Sequence, residues 1–211
     1  MKVNEIFYSI QGESTFSGLP CVFVRLTGCN LRCSYCDTKY AYEEGEEKAI
    51  DQIIEKVNSY NCNLVQITGG EPLLQADCVK LAATLVQEEK QVLVETNGSL
   101  DITVLKEPIV RILDVKCPGS KEQDKMYWDN LLNLRPDDNV KFVISNREDF
   151  EWAVNIVKKF ELLKKSNVFF SPAFRILNPE ILSNWIIEKS LPIRMQLQLH
   201  KYIWHPEKRG V

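Results

Sequence analysis

Apolar residues in this chain fall into two alternating kinds of stretch. Short runs rich in Val, Ile and Phe recur at 21–26 (CVFVRL), 64–68 (LVQIT), 91–96 (QVLVET), 111–116 (RILDVK), 140–145 (VKFVIS) and 167–172 (NVFFSP). Near-continuous apolar runs of this length suit strands covered on both faces, as in a parallel sheet. Most of the longer stretches between them have a helical period. In 49–60 the apolar residues Ile50, Ile53, Ile54 and Val57 fall at i, i+3, i+4 and i+7, one face of an amphipathic helix. Segments 76–90 and 148–165 read the same way. So does 178–190, where Asn178 is placed to cap the helix and Pro179 to open it.

Six strands alternating with helices predict a parallel sheet with right-handed crossovers. The chain has 211 residues, short of the roughly 250 typical of a closed eight-stranded barrel. The expected fold is therefore α/β: a partial, open TIM-like barrel of about six parallel strands with outer helices, a flat doubly wound sheet being the alternative. No repeat, low-complexity tract or Pro/Gly linker divides the chain, so 1–211 reads as a single domain. In either architecture, function gathers at the carboxyl ends of the strands. The Gly-rich and polar segments obey that rule. GCNLRCSYC follows the first run, TGGEP the second, ETNG the third, KCPGS the fourth, Ser145 the fifth and SPAF the sixth.

Composition adds bounds. The chain is 45% hydrophobic and 26% charged with a formal net charge of -3, ordinary for a globular protein and without a global pull toward nucleic acid or anionic lipid. Lys201, Lys208 and Arg209 gather near the C-terminus, but Glu207 interrupts them and a solvated tail is expected. No stretch is apolar for long enough to span a membrane, and the N-terminus lacks a signal-peptide apolar run. A cytoplasmic location is expected, with no membrane or nucleic-acid partner. Cytosolic thiols stay reduced, so the seven cysteines point to metal binding or catalysis for the clustered three. The scattered Cys21, Cys62, Cys78 and Cys117 are expected mostly to behave as small hydrophobes.

The clustered three are Cys29, Cys33 and Cys36, a C-x3-C-x2-C loop that curls three thiolates toward one point. A four-iron, four-sulfur cluster offers four iron corners; three protein thiolates would leave one open to a small molecule. Zinc is the alternative. Structural zinc is closed by four ligands, and the fourth would have to be Asp37 or a distant His200 or His205. TGGEP, residues 68–72, adds two glycines that let backbone approach a ligand, the Glu71 carboxylate, and Pro72 stiffening the exit.

Together the two motifs resemble those of the radical S-adenosylmethionine (SAM) superfamily. The resemblance implies a [4Fe-4S] cluster on Cys29, Cys33 and Cys36, with SAM on the open iron and the GGEP-type segment beside its methionyl amine. It also implies a flavodoxin or ferredoxin as electron donor. No side chain is expected to be catalytic, since the radical chemistry is the cofactor's. From the N-terminus onward, EIFYSIQGESTFSGLPCVFVRLTGCNLRCSYCDT resembles the 7-carboxy-7-deazaguanine synthases, with S-I-Q-G-E, S-G-x-P and F-x-R-x-x-G-C-N-L segments; QLHK near the C-terminus also resembles that family.

That resemblance implies conversion of 6-carboxy-5,6,7,8-tetrahydropterin to 7-carboxy-7-deazaguanine with loss of ammonia, on the path to 7-deazapurines such as queuosine, by a homodimer. It assigns substrate binding to Ile10, Gln11, Gly12, Glu13, Arg25, Thr68 and Val211. It assigns SAM contacts to Gly70, Glu71, Asp114, Val115, Lys116, Ser171, Pro172, Ala173 and Phe174, and a magnesium ion, Mg2+, to Thr38, for which local capping is the alternative. Arg25 shares a strand face with Phe23; directed inward, it would need an anion, which the substrate carboxylate would supply. His200 reads as structural rather than catalytic. A glycyl-radical activase and a zinc-bearing binding module are the other functions this sequence allows.

Overall fold

The computed structural model describes all 211 residues. One sheet carries the molecule, its nine strands ordered β3-β1-β2-β4-β5-β6-β7-β8-β9. The strands are β1 (Lys2–Ile10), β2 (Pro20–Leu26), β3 (Glu46–Glu47), β4 (Leu64–Gly69), β5 (Gln91–Thr96), β6 (Val110–Val115), β7 (Asn139–Ile144), β8 (Asn167–Pro172) and β9 (Arg194–Met195). The six apolar runs are β2 and β4 through β8, paired parallel in sequence order. β3 and β9 do not pair with each other, so the barrel is open.

The helices α1 (Ile50–Asn58), α2 (Asp77–Gln87), α3 (Arg147–Lys159) and α4 (Pro179–Lys189) occupy the predicted stretches, and α5 (His200–Ile203) is a short addition near the C-terminus. Side chains close the helix starts. Asn146 Oδ1 accepts from the Asp149 amide at 2.9 Å and Asn178 Oδ1 from the Glu180 amide at 3.0 Å. The third helix stops earlier than its apolar period suggests. Glu161 adopts a left-handed φ of 52° and a single 3-10 turn, Leu162–Lys164, follows. Leu162 is still fully buried, so the hydrophobic pattern runs on after the helical backbone ends.

Strand alternation separates two environments. Val22, Val24, Leu26, Val65, Ile67, Val92 and Val94 face outward and pack with Ile53, Val57, Leu81 and Leu85 of α1 and α2. Leu113, Val115, Val140, Phe142, Ile144, Val168 and Phe170 do the same against Phe150, Val154 and Val157 of α3 and Leu182 of α4. A smaller cluster of Cys21, Phe23, Leu64, Leu93, Val110 and Ile112, with Phe7 and Phe16 against it, lies on the other face. It draws on the early positions of its parallel strands and so plugs the amino end of the barrel. Toward the carboxyl ends the same inner face turns polar.

Three strands are missing from the sequence pattern: the two-residue β3 and β9, and the nine-residue β1. β1 pairs antiparallel to β2, with a register irregularity between Val3 and Glu5. A bulge shifts the alternation of side chains by one, which blurs the period-two signal. No helix of the chain is long and apolar enough to cross a membrane.

Candidate active site

The carboxyl ends of the parallel strands open into a cavity of about 720 Å³, within the usual range for a small-molecule site. At one part of its wall stand Cys29, Cys33 and Cys36, all free and half-buried. The loop that carries them follows β2 and is held from several sides. The Gly28 amide donates to the Ala41 carbonyl at 2.9 Å, the Ser34 amide to Ser120 at 3.0 Å, and the Arg32 amide to the Glu122 carboxylate at 2.8 Å. Burial raises the pKa of Cys29 and pushes Cys33 up to about 11, so metal binding here must displace thiol protons.

Gly70 shows why the segment after β4 must be glycine. A Cβ there would lie 2.6 Å from Cys29 Cβ and 2.7 Å from the Gly28 carbonyl carbon. The two loops pack backbone to backbone, and the Glu71 amide donates to the Gly28 carbonyl at 2.7 Å. Glu71 itself turns away from the cavity. Fully buried, its carboxylate accepts from the Leu73 amide at 3.0 Å, from Thr96 Oγ1 at 2.9 Å and from the Asn97 amide at 2.6 Å. It ties the glycine loop to the end of β5.

Across the barrel the inner faces of successive strands supply Arg25, Gln66 and Thr68, Glu95, Asp114 and Lys116, and Lys141. Arg25 points into the cavity, and the chain supplies it an anion: Nε donates to Glu5 Oε1 at 2.8 Å, because Glu5 of the unforeseen β1 is its partner in the register. Sequence reasoning named the substrate carboxylate as that anion and missed Glu5. Lys116 Nζ lies 3.0 Å from Asp114 Oδ2. Burial works against both charges, yet each holds the other charged, with the Asp114 pKa lowered and that of Lys116 raised.

The C-terminal segment completes the wall. His200, Lys201 and residues 206–211, including Val211, line the cavity, and the Leu199 amide donates to the Gly12 carbonyl at 3.2 Å. Lys201 is not part of a solvated tail: it is buried and paired with Asp37. Burial lowers the His200 pKa. Thr38 Oγ1 donates to Asp37 Oδ1 at 2.8 Å.

Of the residues singled out from the sequence, the cavity brings together Ile10, Gln11, Gly12, Glu13, Arg25, the three cysteines, Thr38, Thr68, Gly70, Asp114, Lys116, Ala173, Phe174 and Val211. Glu71, Val115, Ser171 and Pro172 lie outside its lining; Val115 is in the outer core. Sequence reasoning missed Gln66, Glu95, Lys141, Gln198 and Lys201. The first three had a legible signal, a polar residue at an alternate position of an otherwise apolar run.

An open parallel barrel with a three-cysteine loop after its first parallel strand defines a class, and the Radical SAM superfamily model matches residues 23–118. The fold agrees: QueE from Escherichia coli superposes with a TM-score of 0.77 over 93% of each chain at 20% identity. SuiB from Streptococcus suis superposes at 0.58 over 83% of this chain and 47% of its own. Full-length relatives narrow the class. The 7-carboxy-7-deazaguanine synthase of Koribacter versatilis is 43% identical over 100% of both chains. That of Chlorobaculum tepidum is 42% identical over 100% of this chain and 97% of its own. The chain belongs to the 7-carboxy-7-deazaguanine synthase family.

Proposed function

We infer that this protein is a radical SAM lyase that converts 6-carboxy-5,6,7,8-tetrahydropterin to 7-carboxy-7-deazaguanine with release of ammonia. The observation that carries this reading is one cavity with three free thiols on its wall and, within the same space, a polar set suited to a pterin acid: Gln11, Glu13 and Arg25. The full-length relatives favour this function over the activase.

The residues present fit the implied groups. Three thiols on one short loop suit a cluster that spreads its ligands over separate irons; no three His, Cys, Asp or Glu side chains converge tightly enough for a single ion. Asp114 Oδ1 is buried without a hydrogen-bond partner, an acceptor that SAM hydroxyl or amine donors would satisfy. Cys29, Cys33 and Cys36 would hold the cluster, and Gly70, Asp114, Lys116, Ala173 and Phe174 would line the SAM subsite. Bound there, the two supply the one-electron chemistry that starts the ring contraction.

The chain's own task is to hold and shield the pterin. Arg25 has only its Nε engaged by Glu5, so its terminal nitrogens are free for the substrate carboxylate. Glu13 faces the cavity as a carboxylate; burial acts to raise its pKa, but Lys141 and His200 bring it below the usual value. It suits the amino and N–H donors of a pterin edge. Thr38 would contribute one oxygen to a magnesium ion whose other ligands come from substrate and water. Residues 206–211 line the same cavity. A flavodoxin or ferredoxin would supply the electron, in a homodimeric cytoplasmic enzyme.

The test is anaerobic incubation of the iron-loaded protein with SAM, a reductant and carboxytetrahydropterin, with and without magnesium. Carboxydeazaguanine is the expected product, formed faster with magnesium. A protein that cleaves SAM yet yields no deazaguanine overturns this function.

A further inference from the structure

Five side chains inside the barrel close a hydrogen-bonded ring. Lys141 Nζ on β7 donates to Glu13 Oε2 at 2.5 Å and to Glu95 Oε1 at 2.7 Å. Glu95 Oε2 accepts from Gln66 Nε2 at 2.8 Å, and Gln66 Oε1 accepts from Gln11 Nε2. Gln11 Oε1 then accepts from the Glu13 amide at 3.2 Å, which returns the ring to its start. Outside the ring, Asp114 Oδ2 stands 3.5 Å from Lys141 Nζ, and Gln198 Nε2 donates to Glu13 Oε1 at 2.7 Å.

Such a ring can run in only one direction. A carboxylate only accepts and an ammonium only donates. Glu95 therefore obliges Gln66 to turn its amide nitrogen inward and its oxygen toward Gln11. Gln11 must answer with its own nitrogen, which leaves its oxygen for the Glu13 amide. The remaining link, Glu95 to Glu13, joins two acceptors and cannot exist without a donor between them. Lys141 is that donor, and its side chain is only 7% exposed.

We propose that Lys141 is a specificity-determining positioning residue: by bridging Glu13 and Glu95 it keeps these two carboxylates acceptor-only at the heterocycle-binding end of the cavity, so that they take an amino-substituted edge and reject the same ring with oxygen in the amino position. The proposal rests on the reading of Glu13 as the group that meets the pterin edge.

The charges agree with it. Burial alone would push the Lys141 amine down, yet Glu13, Glu95 and Asp114 hold it well above its ordinary value. The other cation near Asp114 is Lys116, and the other titratable group facing Glu13 is His200. Without Lys141, two carboxylates would share a buried site, and one of such a pair takes up a proton. A protonated carboxyl can donate, and the site would then accept an oxygen where it had demanded an amine.

The experiment compares binding of 6-carboxypterin and 6-carboxylumazine, which differ by amino against oxygen at one ring position, by fluorescence quenching. The native chain is expected to prefer the pterin by about 100-fold or more, as sites built around a substrate donor do. In Lys141→Met the preference is expected to fall to about tenfold or less, and in Lys141→Arg to remain mostly intact, since the positive donor is kept. Lys141→Met leaves three carboxylates short of a cation. The double variant Lys141→Met, Glu95→Gln removes one charge of each sign; Glu13 is left buried without its lysine and the new amide can itself donate, so the same loss of preference is expected of it. Either folded variant retaining the native preference overturns the proposal. A native chain that binds neither compound, or both equally, overturns instead the placing of the pterin edge at Glu13, and the proposal with it.

Discussion

Replacing Glu71 by alanine separates two roles for this residue. The sequence motif points to a cofactor contact, whereas the structure shows a buried carboxylate whose acceptors are consumed within the chain. In Glu71→Ala the Leu73 and Asn97 amides lose their acceptor, while the Thr96 hydroxyl can rotate to another. Stranding a buried donor costs about 1–3 kcal/mol, so two amides predict a loss of about 2–6 kcal/mol. At about 2–4 °C per kcal/mol for a domain of this size, a loss of about 4 kcal/mol lowers Tm by about 8–16 °C. Glu71→Gln keeps one carbonyl oxygen and is expected to lose about half as much. Thermal and urea melts of the metal-free chain under reducing conditions measure the effect, and SAM affinity of the iron-loaded variants is measured alongside. If Glu71→Ala melts like the native chain while SAM binding disappears, the structural account of Glu71 is wrong and the residue is a ligand.

Other expectations follow from the same geometry. Gly70→Ala drives a Cβ against the Gly28 backbone and the Cys29 Cβ; the rate of reductive SAM cleavage should fall by about 100-fold, as a misplacement of about 1 Å can cost. Cys33→Ala should melt like the native chain and bind no iron-sulfur cluster; retained iron and sulfide would remove Cys33 from the ligand set. Asp138→Ala breaks a buried pair in which both carboxylate oxygens accept from Arg111 Nε at 3.0 Å, and about 3–5 kcal/mol of stability should go with it, read by urea denaturation. The native pKa values of Glu13 and Asp114 lie below their ordinary values of 4.5 and 3.8, despite burial, because Lys141 and Lys116 sit beside them. Groups whose folded pKa is depressed contribute stability above the unfolded value and lose it as pH falls through the folded one. Stability should therefore decline below about pH 4.5, and less steeply in Glu13→Gln; equal slopes in urea titrations would show that the pairing does not carry the effect.

Much of this protein was determined by its sequence. The six parallel strands and four main helices follow from local periodicity, since a strand or helix must bury its apolar face whatever else it meets. The cysteine loop and glycine turn are contiguous motifs, so their chemistry could be read before their position. What only the tertiary structure decided is how residues distant in the chain pair. Glu5 meets Arg25 because a bulged first strand, weak in its own pattern, borrows its register from β2. Lys201 leaves an apparent basic tail to pair with Asp37, more than a hundred and sixty residues earlier. Glu71 faces Thr96 and Asn97 instead of the cavity, and Gln11, Gln66, Glu95, Lys141 and Glu13 form a ring drawn from four separate segments. Periodicity reports which face of an element is buried; it carries nothing about which charge from another element will stand opposite, because that depends on barrel register and on the low-dielectric interior, where an unpaired charge is not tolerated.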